Sequence, residues 1–175
     1  MPFKYKYIPM KKFLLVFSLM ITAAYSRAQM LGVSAAIPPT IPPYHILTTD
    51  SVYVTPADLP RHKQVMIIYF APDCSHCQHL MHDMELQMTE FKNVQIVMVT
   101  FVSQLRAIKD FYRDFKLSRY PNLTVGTEGY TYLVQKFYHV KTTPYIALYD
   151  KNGKLIRAFD KAPKIDVLVE TFKKG

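Results

Sequence analysis

The chain has 175 residues, half of them hydrophobic and a fifth charged, with 13 Tyr, 11 Phe and no Trp. That is enough apolar chain for one globular domain, and it excludes a disordered, collagen-like or low-complexity protein. The formal charge of +9 sits largely in the first 28 residues; setting aside their five basic side chains leaves 17 basic against 13 acidic residues, an ordinary surface of +4. With no basic run beyond Lys173-Lys174 and no nucleic-acid motif, this balance argues against a nucleic-acid partner.

Lys4, Lys6, Lys11 and Lys12 precede an apolar run from Phe13 to Ala24, and Ser26-Arg27-Ala28 presents small residues at the two positions a signal peptidase inspects. The pattern predicts a signal peptide over 1–28, cleaved after Ala28, and a periplasmic or otherwise extracytoplasmic protein. An uncleaved anchor is the alternative, but the run falls short of the ~20 residues that span a bilayer. Residues 29–45 include Pro38, Pro39, Pro42 and Pro43, which favour polyproline II and bar a central strand. They read as an extended linker or an arm lying on the domain. The domain itself is expected over 46–175, with the compact fold beginning near Tyr44.

Within it, Ser51 to Thr55 reads as a short strand or strand edge, followed by a capped turn with Thr55 as N-cap and Pro56 in first helical position. Val65 to Phe70 is a continuous branched and aromatic run, as expected of a strand covered on both faces. From about Ser75 to Phe91, Leu80, Met84, Met88 and Phe91 recur at helical spacing and predict one buried stripe. Val94 to Val102 is a second buried strand. A helix then starts at Ser103, with Leu105, Ile108, Phe111, Tyr112 and Phe115 on its apolar face. Leu123 to Val125 is a brief strand, and Gly126-Thr127 are expected to begin a helix reaching Tyr138. The segments around Asn152-Gly153 form a hairpin, and Pro163 opens a last helix. A β/α alternation closed by a hairpin and a helix requires a sheet that mixes parallel and antiparallel pairs.

The only two cysteines, Cys74 and Cys77, lie between the first buried strand and its helix, in the stretch APDCSHCQHLMHDM. A disulfide closing a two-residue loop constrains little of the unfolded chain, so a structural staple is the weak reading and chemistry the default. A helix N-terminus stabilises an anion at the first sulfur. Cys74 is then the nucleophile, and Cys77, one turn further in, is placed to resolve a mixed disulfide. A partly protonated His76 would favour the Cys74 thiolate and a more oxidising pair, whereas a carboxylate at Asp73 would oppose it. Plain helix capping is an equal reading for Asp73, and a solvated imidazole is the bland one for His76.

In order, VMIIYFAPDCSHC, VQIVMVTFVSQLRAIKDFYRDF and LVQKFYHVKTTPYIALYDKNGKLI resemble the thioredoxin superfamily, and among its members the exported TlpA/ResA-like thiol-disulfide oxidoreductases. The resemblance covers roughly Tyr53 to Gly175. It implies an α/β thioredoxin fold: a mixed central sheet flanked by helices on both faces, closing with a β-hairpin and a C-terminal helix. It also implies that Cys74 attacks, that Cys77 resolves, and that Thr143 with a cis Pro144 shapes the substrate groove. No cofactor beyond the dithiol is called for. Partners would be proteins carrying disulfides or dithiols, such as apocytochromes, with a membrane electron donor possible.

Three positions depart from the family pattern. Asp73 stands where many relatives have Trp, Ile68 where thioredoxins bury an Asp, and Leu80 where ResA-like proteins place a Glu. His76, His79 and Glu128 are the candidates to replace the missing base, and the redox direction stays open. A rival reading is a metallochaperone module in which Cys74, Cys77, His79, His82 and His139 bind Cu(I) or Zn(II). A third is a scaffold of the same fold without catalysis.

Overall fold

The computed structural model describes residues 37–175; the expected leader over 1–28 lies outside the described residues. Seven strands follow in chain order: β1 (Ile46–Thr48), β2 (Tyr53–Val54), β3 (Gln64–Phe70), β4 (Val94–Thr100), β5 (Leu123–Thr127), β6 (Tyr145–Tyr149) and β7 (Leu155–Phe159). Four α-helices join them: α1 (Ser75–Leu86), α2 (Leu105–Asp114), α3 (Leu133–Tyr138) and α4 (Ile165–Lys174). One sheet in the order β2-β1-β5-β4-β3-β6-β7 holds all seven strands. The strands β3, β4 and β5 run parallel, β6 and β7 are antiparallel additions on one side, and β1 and β2 on the other.

Side-chain alternation along the central strands divides the core in two. On one face Met66, Ile68 and Phe70 of β3, Ile96 and Met98 of β4, and Ile146 and Leu148 of β6 pack under α1, α2 and α4. On the other, Val65, Ile67, Tyr69, Val97, Val99, Tyr145 and Tyr149 pack under α3 and Tyr44. Both faces are therefore apolar, which is why the sequence of these strands shows unbroken hydrophobic runs. The expected mixed sheet with helices on both faces is the observed one.

Four elements differ from the sequence reading. The helix expected from Ser75 to Phe91 stops at Leu86, because Gln87 leaves helical geometry (φ −127, ψ 20), and Met88–Phe91 continues as a 3-10 turn that still buries Met88 and Phe91. The strand expected to reach Val102 ends at Thr100, and the next helix starts at Leu105 rather than Ser103. The helix expected after Pro163 is, by contrast, the observed one, Ile165–Lys174 with Lys164 as its N-cap.

The fourth difference has the clearest cause. Gly126 and Thr127 do not open a helix but end β5, paired with Thr48 and Leu47 of β1, a strand to which the sequence reading assigns no element. A Cβ on Gly126 would stand 2.9 Å from the Leu47 carbonyl oxygen and 3.1 Å from Ile46 Cβ, so glycine here permits two strands to approach rather than starting a helix.

The capped turn at Thr55 is as expected: the Thr55 hydroxyl accepts from Ala57 N–H at 3.3 Å, and the Asp58 carboxylate accepts from Thr55 N–H at 2.8 Å. In the β6–β7 turn only Gly153 has positive φ, at 76°. The Asp150 carboxylate, which accepts from Asn152 N–H at 2.8 Å and Lys154 N–H at 2.9 Å, completes that turn. The proline-rich segment lies on the domain from Ile37 onward. Leu155 N–H donates to the Pro39 carbonyl at 2.8 Å, Thr40 bridges Lys154, and Tyr44 is only 1% exposed.

Candidate functional site

The site lies where β3 gives way to α1. Ala71, Pro72 and Asp73 turn the chain, and the turn is held by Cys74 N–H donating to the Ala71 carbonyl at 3.1 Å. Gln78 also donates from its side chain to the Pro72 carbonyl at 2.9 Å. Cys74 is itself the N-cap of α1, and its sulfur accepts from Cys77 N–H at 3.3 Å. Asp73 therefore does not cap the helix; it is an exposed residue one position ahead of the cap.

The two thiols, both free in this structure, meet different surroundings. Cys74 is half-buried and its Sγ lies 3.5 Å from the Thr143 carbonyl oxygen. Burial pushes this thiol up, but hydrogen bonds from Cys77, from Thr143 and from the Cys77 and His76 backbone outweigh it and leave Cys74 below the ordinary thiol range. Cys77 is 1% exposed within the α1-side core. Burial, with the Cys74 contact second, pushes its thiol up to about 12. One sulfur is prepared to be an anion and the other to stay protonated.

Across from the dithiol, the Thr143–Pro144 peptide bond is cis and Pro144 is buried. Thr142 donates its hydroxyl to the Asp160 carbonyl at 3.3 Å, tying this loop to the segment between β7 and α4. A groove of about 620 Å³ runs between these parts, lined among others by His76, Asp83, Thr143, Pro144, Lys161 and Lys164. Thus Cys74, Cys77, Thr143 and Pro144 come together, His76 stands in the groove wall, and Asp73 is beside them without a side-chain partner assigned by the geometry. Lys161 and Lys164 were missed by the sequence reading, because nothing in a lysine's local sequence says that a loop 84 residues beyond Cys77 folds back to it.

The candidates for a proton acceptor fare differently. Glu128 is 3% exposed, but its carboxylate accepts from the Tyr69 hydroxyl at 2.7 Å, from Val134 N–H at 2.7 Å and from Gln135 N–H at 3.4 Å. It serves the N-terminus of α3 on the Tyr69 face of the sheet, opposite Cys77. His79 bonds its own helix, with Nδ1 2.8 Å from the Ser75 carbonyl oxygen, and His76 is exposed. Ile68 and Leu80, where relatives carry acids, are 0% and 3% exposed in the same apolar cluster as Cys77.

The five residues of the metal reading are not assembled. His82 packs its ring against Phe115 at 5.0 Å, His139 is the exposed C-cap of α3, and among the described residues no group of three or more His, Cys, Asp or Glu is arranged to hold a metal ion.

The fold agrees with comparison to known proteins. The family model for a thioredoxin-like domain matches residues 59–171, well over half of the chain. The chain belongs to the thioredoxin-like domain family. No curated protein matches its sequence. Among solved structures, this thioredoxin-like protein resembles a secreted disulfide oxidoreductase of Mycobacterium tuberculosis described as homologous to E. coli DsbE, with 16% identity and TM-score 0.63 over 75% of this chain and 96% of that one. It is also similar to an exposed lipoprotein thioredoxin of Streptococcus pneumoniae, at 22% identity and TM-score 0.59 over 76% and 99%. A thiol-disulfide oxidoreductase of Bacteroides fragilis matches at 14% identity and TM-score 0.62 over 75% and 97%. At these identities the likeness is one of fold.

Proposed function

We propose that this thioredoxin-like protein is an exported thiol-disulfide oxidoreductase that reduces disulfides in partner proteins. The observation that carries the reading is the opposite bias of the two thiols: Cys74 lowered at a helix N-cap and half-exposed, Cys77 raised and buried behind it. The Cys74 thiolate attacks a substrate disulfide, forms a mixed disulfide and expels one substrate thiolate. Cys77 then attacks the Cys74 sulfur, forming the Cys74–Cys77 disulfide, and its proton goes with the second substrate sulfur. Two electrons have passed from the dithiol to the substrate. Thr143 and Pro144 frame the groove in which the substrate chain lies, and the exposed His76 and Asp73 tune the Cys74 sulfur.

Continuous turnover needs an external dithiol, supplied across the membrane if the leader over 1–28 exports the protein. That leader pattern and the secreted or surface-exposed character of the M. tuberculosis and S. pneumoniae proteins support an extracytoplasmic location. Maturation of apocytochromes and general disulfide reduction are the processes such a reductase would serve.

The test is a pair of variants assayed for insulin-disulfide reduction with dithiothreitol. Cys74→Ser abolishes activity, and Cys77→Ser accumulates mixed disulfides visible on a non-reducing gel. Unchanged activity in both variants would overturn the enzymatic reading. The redox direction is read from the potential of the pair: a value near roughly −250 mV or below marks a reductase, and one near about −120 mV an oxidant.

A further inference from the structure

The groove beside the dithiol has three walls of different character. The helix α1 contributes His76 from its first turn and Asp83 from its third, the cis-proline loop contributes Thr143 and Pro144, and the loop between β7 and α4 contributes Lys161 and Lys164. Both lysines are exposed, and among the described residues neither has a carboxylate within ion-pair distance, whereas Arg113, Lys173 and Lys174 do.

Of their acidic neighbours in sequence, Asp160 is not among the residues lining the groove, and Asp166 lines a separate groove with Arg157, Glu170 and Lys174. Asp83 of α1 is the one carboxylate lining the groove, against the two lysines of the β7–α4 loop. About 620 Å³ is room for a few side chains of an extended segment.

We propose that Lys161 and Lys164 make this site selective for disulfides flanked by Asp or Glu side chains, so that the preferred partner presents an acidic, extended segment around its reactive cysteine. This rests on the redox reading above and adds the substrate class to it. Charges at the rim of a binding surface act chiefly on the association rate and lose their effect as salt screens them. The selectivity is therefore one of encounter and register, with the chemistry of Cys74 and Cys77 unchanged in kind.

The test uses the pre-reduced protein in single turnover against two peptides of equal length. Each carries one cysteine as a mixed disulfide with 2-mercaptoethanol, flanked by Glu in one peptide and by Lys in the other. Each second-order rate is divided by that peptide's rate with free dithiothreitol, which removes intrinsic differences in the disulfides. At low ionic strength the Glu peptide is expected to react roughly tenfold faster than the Lys peptide, with the ratio collapsing toward one at about 0.5 M salt.

In the K161E/K164E variant the ratio inverts. In K92E/K151E, which makes the same change of net charge away from the groove, the ratio stays above one. A native ratio near one, or an undiminished ratio in K161E/K164E, overturns the proposal and leaves the redox reading standing. Loss of the preference in both double variants also overturns it, because net charge would then be the cause. Failure to reduce either peptide overturns the redox reading and this inference with it.

Discussion

Cys74 and Cys77 sit three positions apart, and their acidities are driven in opposite directions by where α1 begins. The first sulfur lies outside the helix and collects donors; the second lies one turn in and loses water. Reagent chemistry reads this directly. With the reduced protein, iodoacetamide is expected to alkylate Cys74 with a pH midpoint below the ordinary thiol value of about 8.5, while Cys77 stays unlabelled at neutral pH. Equal labelling of the two at pH 7, followed by peptide mass analysis, would contradict the assigned asymmetry.

The same shift has a thermodynamic consequence. Cys77 has a folded-state pKa raised to about 12, so its contribution to stability is complete below the unfolded thiol value and is lost as pH rises from about 8.5 toward 12. The reduced protein should therefore lose denaturant resistance relative to the oxidised protein between about pH 8 and pH 10. A gap between the two forms that does not change with pH over that range would contradict it. The sequence made the dithiol legible, because Cys-x-x-Cys after an apolar strand is a local pattern. It could not exclude Glu128 as the base, since which face of the sheet a carboxylate serves depends on Tyr69 and Val134, residues contacted only after folding.

At the scale of elements, α3 depends on a residue outside it. Its N-cap, Tyr132, offers no side-chain cap and has a left-handed backbone with φ 51, so Glu128 supplies the missing acceptor to Val134 and Gln135. Glu128→Ala leaves the Tyr69 hydroxyl and Val134 N–H without that acceptor and should cost about 2–4 kcal/mol in chemical denaturation. The Cys74 alkylation profile should not move; a displaced profile would restore Glu128 as a proton carrier for the dithiol. The elements that were misjudged in the sequence share one physical feature. Gly126-Thr127 resembles a helix start and Ile46 to Thr48 is too short to show a strand pattern of its own, yet the two segments pair with each other. Strand pairing is non-local, so neither segment alone carries the information. By contrast, the capped turn at Thr55 depends on side chains within three residues and was visible in full.

For the whole molecule, the proline-rich segment from Ile37 to Tyr44 is part of what closes the α3-side core, through Tyr44, Ile37 and Ile41. Tyr44→Ala should lower stability by about 3–5 kcal/mol, as for other large aromatic truncations in a core. Tyr44→Phe should be neutral or stabilising, because the buried Tyr44 hydroxyl has no hydrogen-bond partner among the described residues. Both are read by urea denaturation. A negligible effect of Tyr44→Ala would mean that the arm leaves the domain in solution.

The sequence by itself determined the dithiol, the two-faced central strands and the hairpin, since each rests on spacing or on an apolar run that survives any context; the place of Pro144 came only through the family resemblance. Only the tertiary structure decided that β1 completes the sheet beside Gly126, that Glu128 serves α3 instead of Cys77, and that Lys161 and Lys164 reach the groove. Those three depend on which surfaces meet after the chain closes, and burial and pairing at a distance leave no periodic trace in the residues that undergo them.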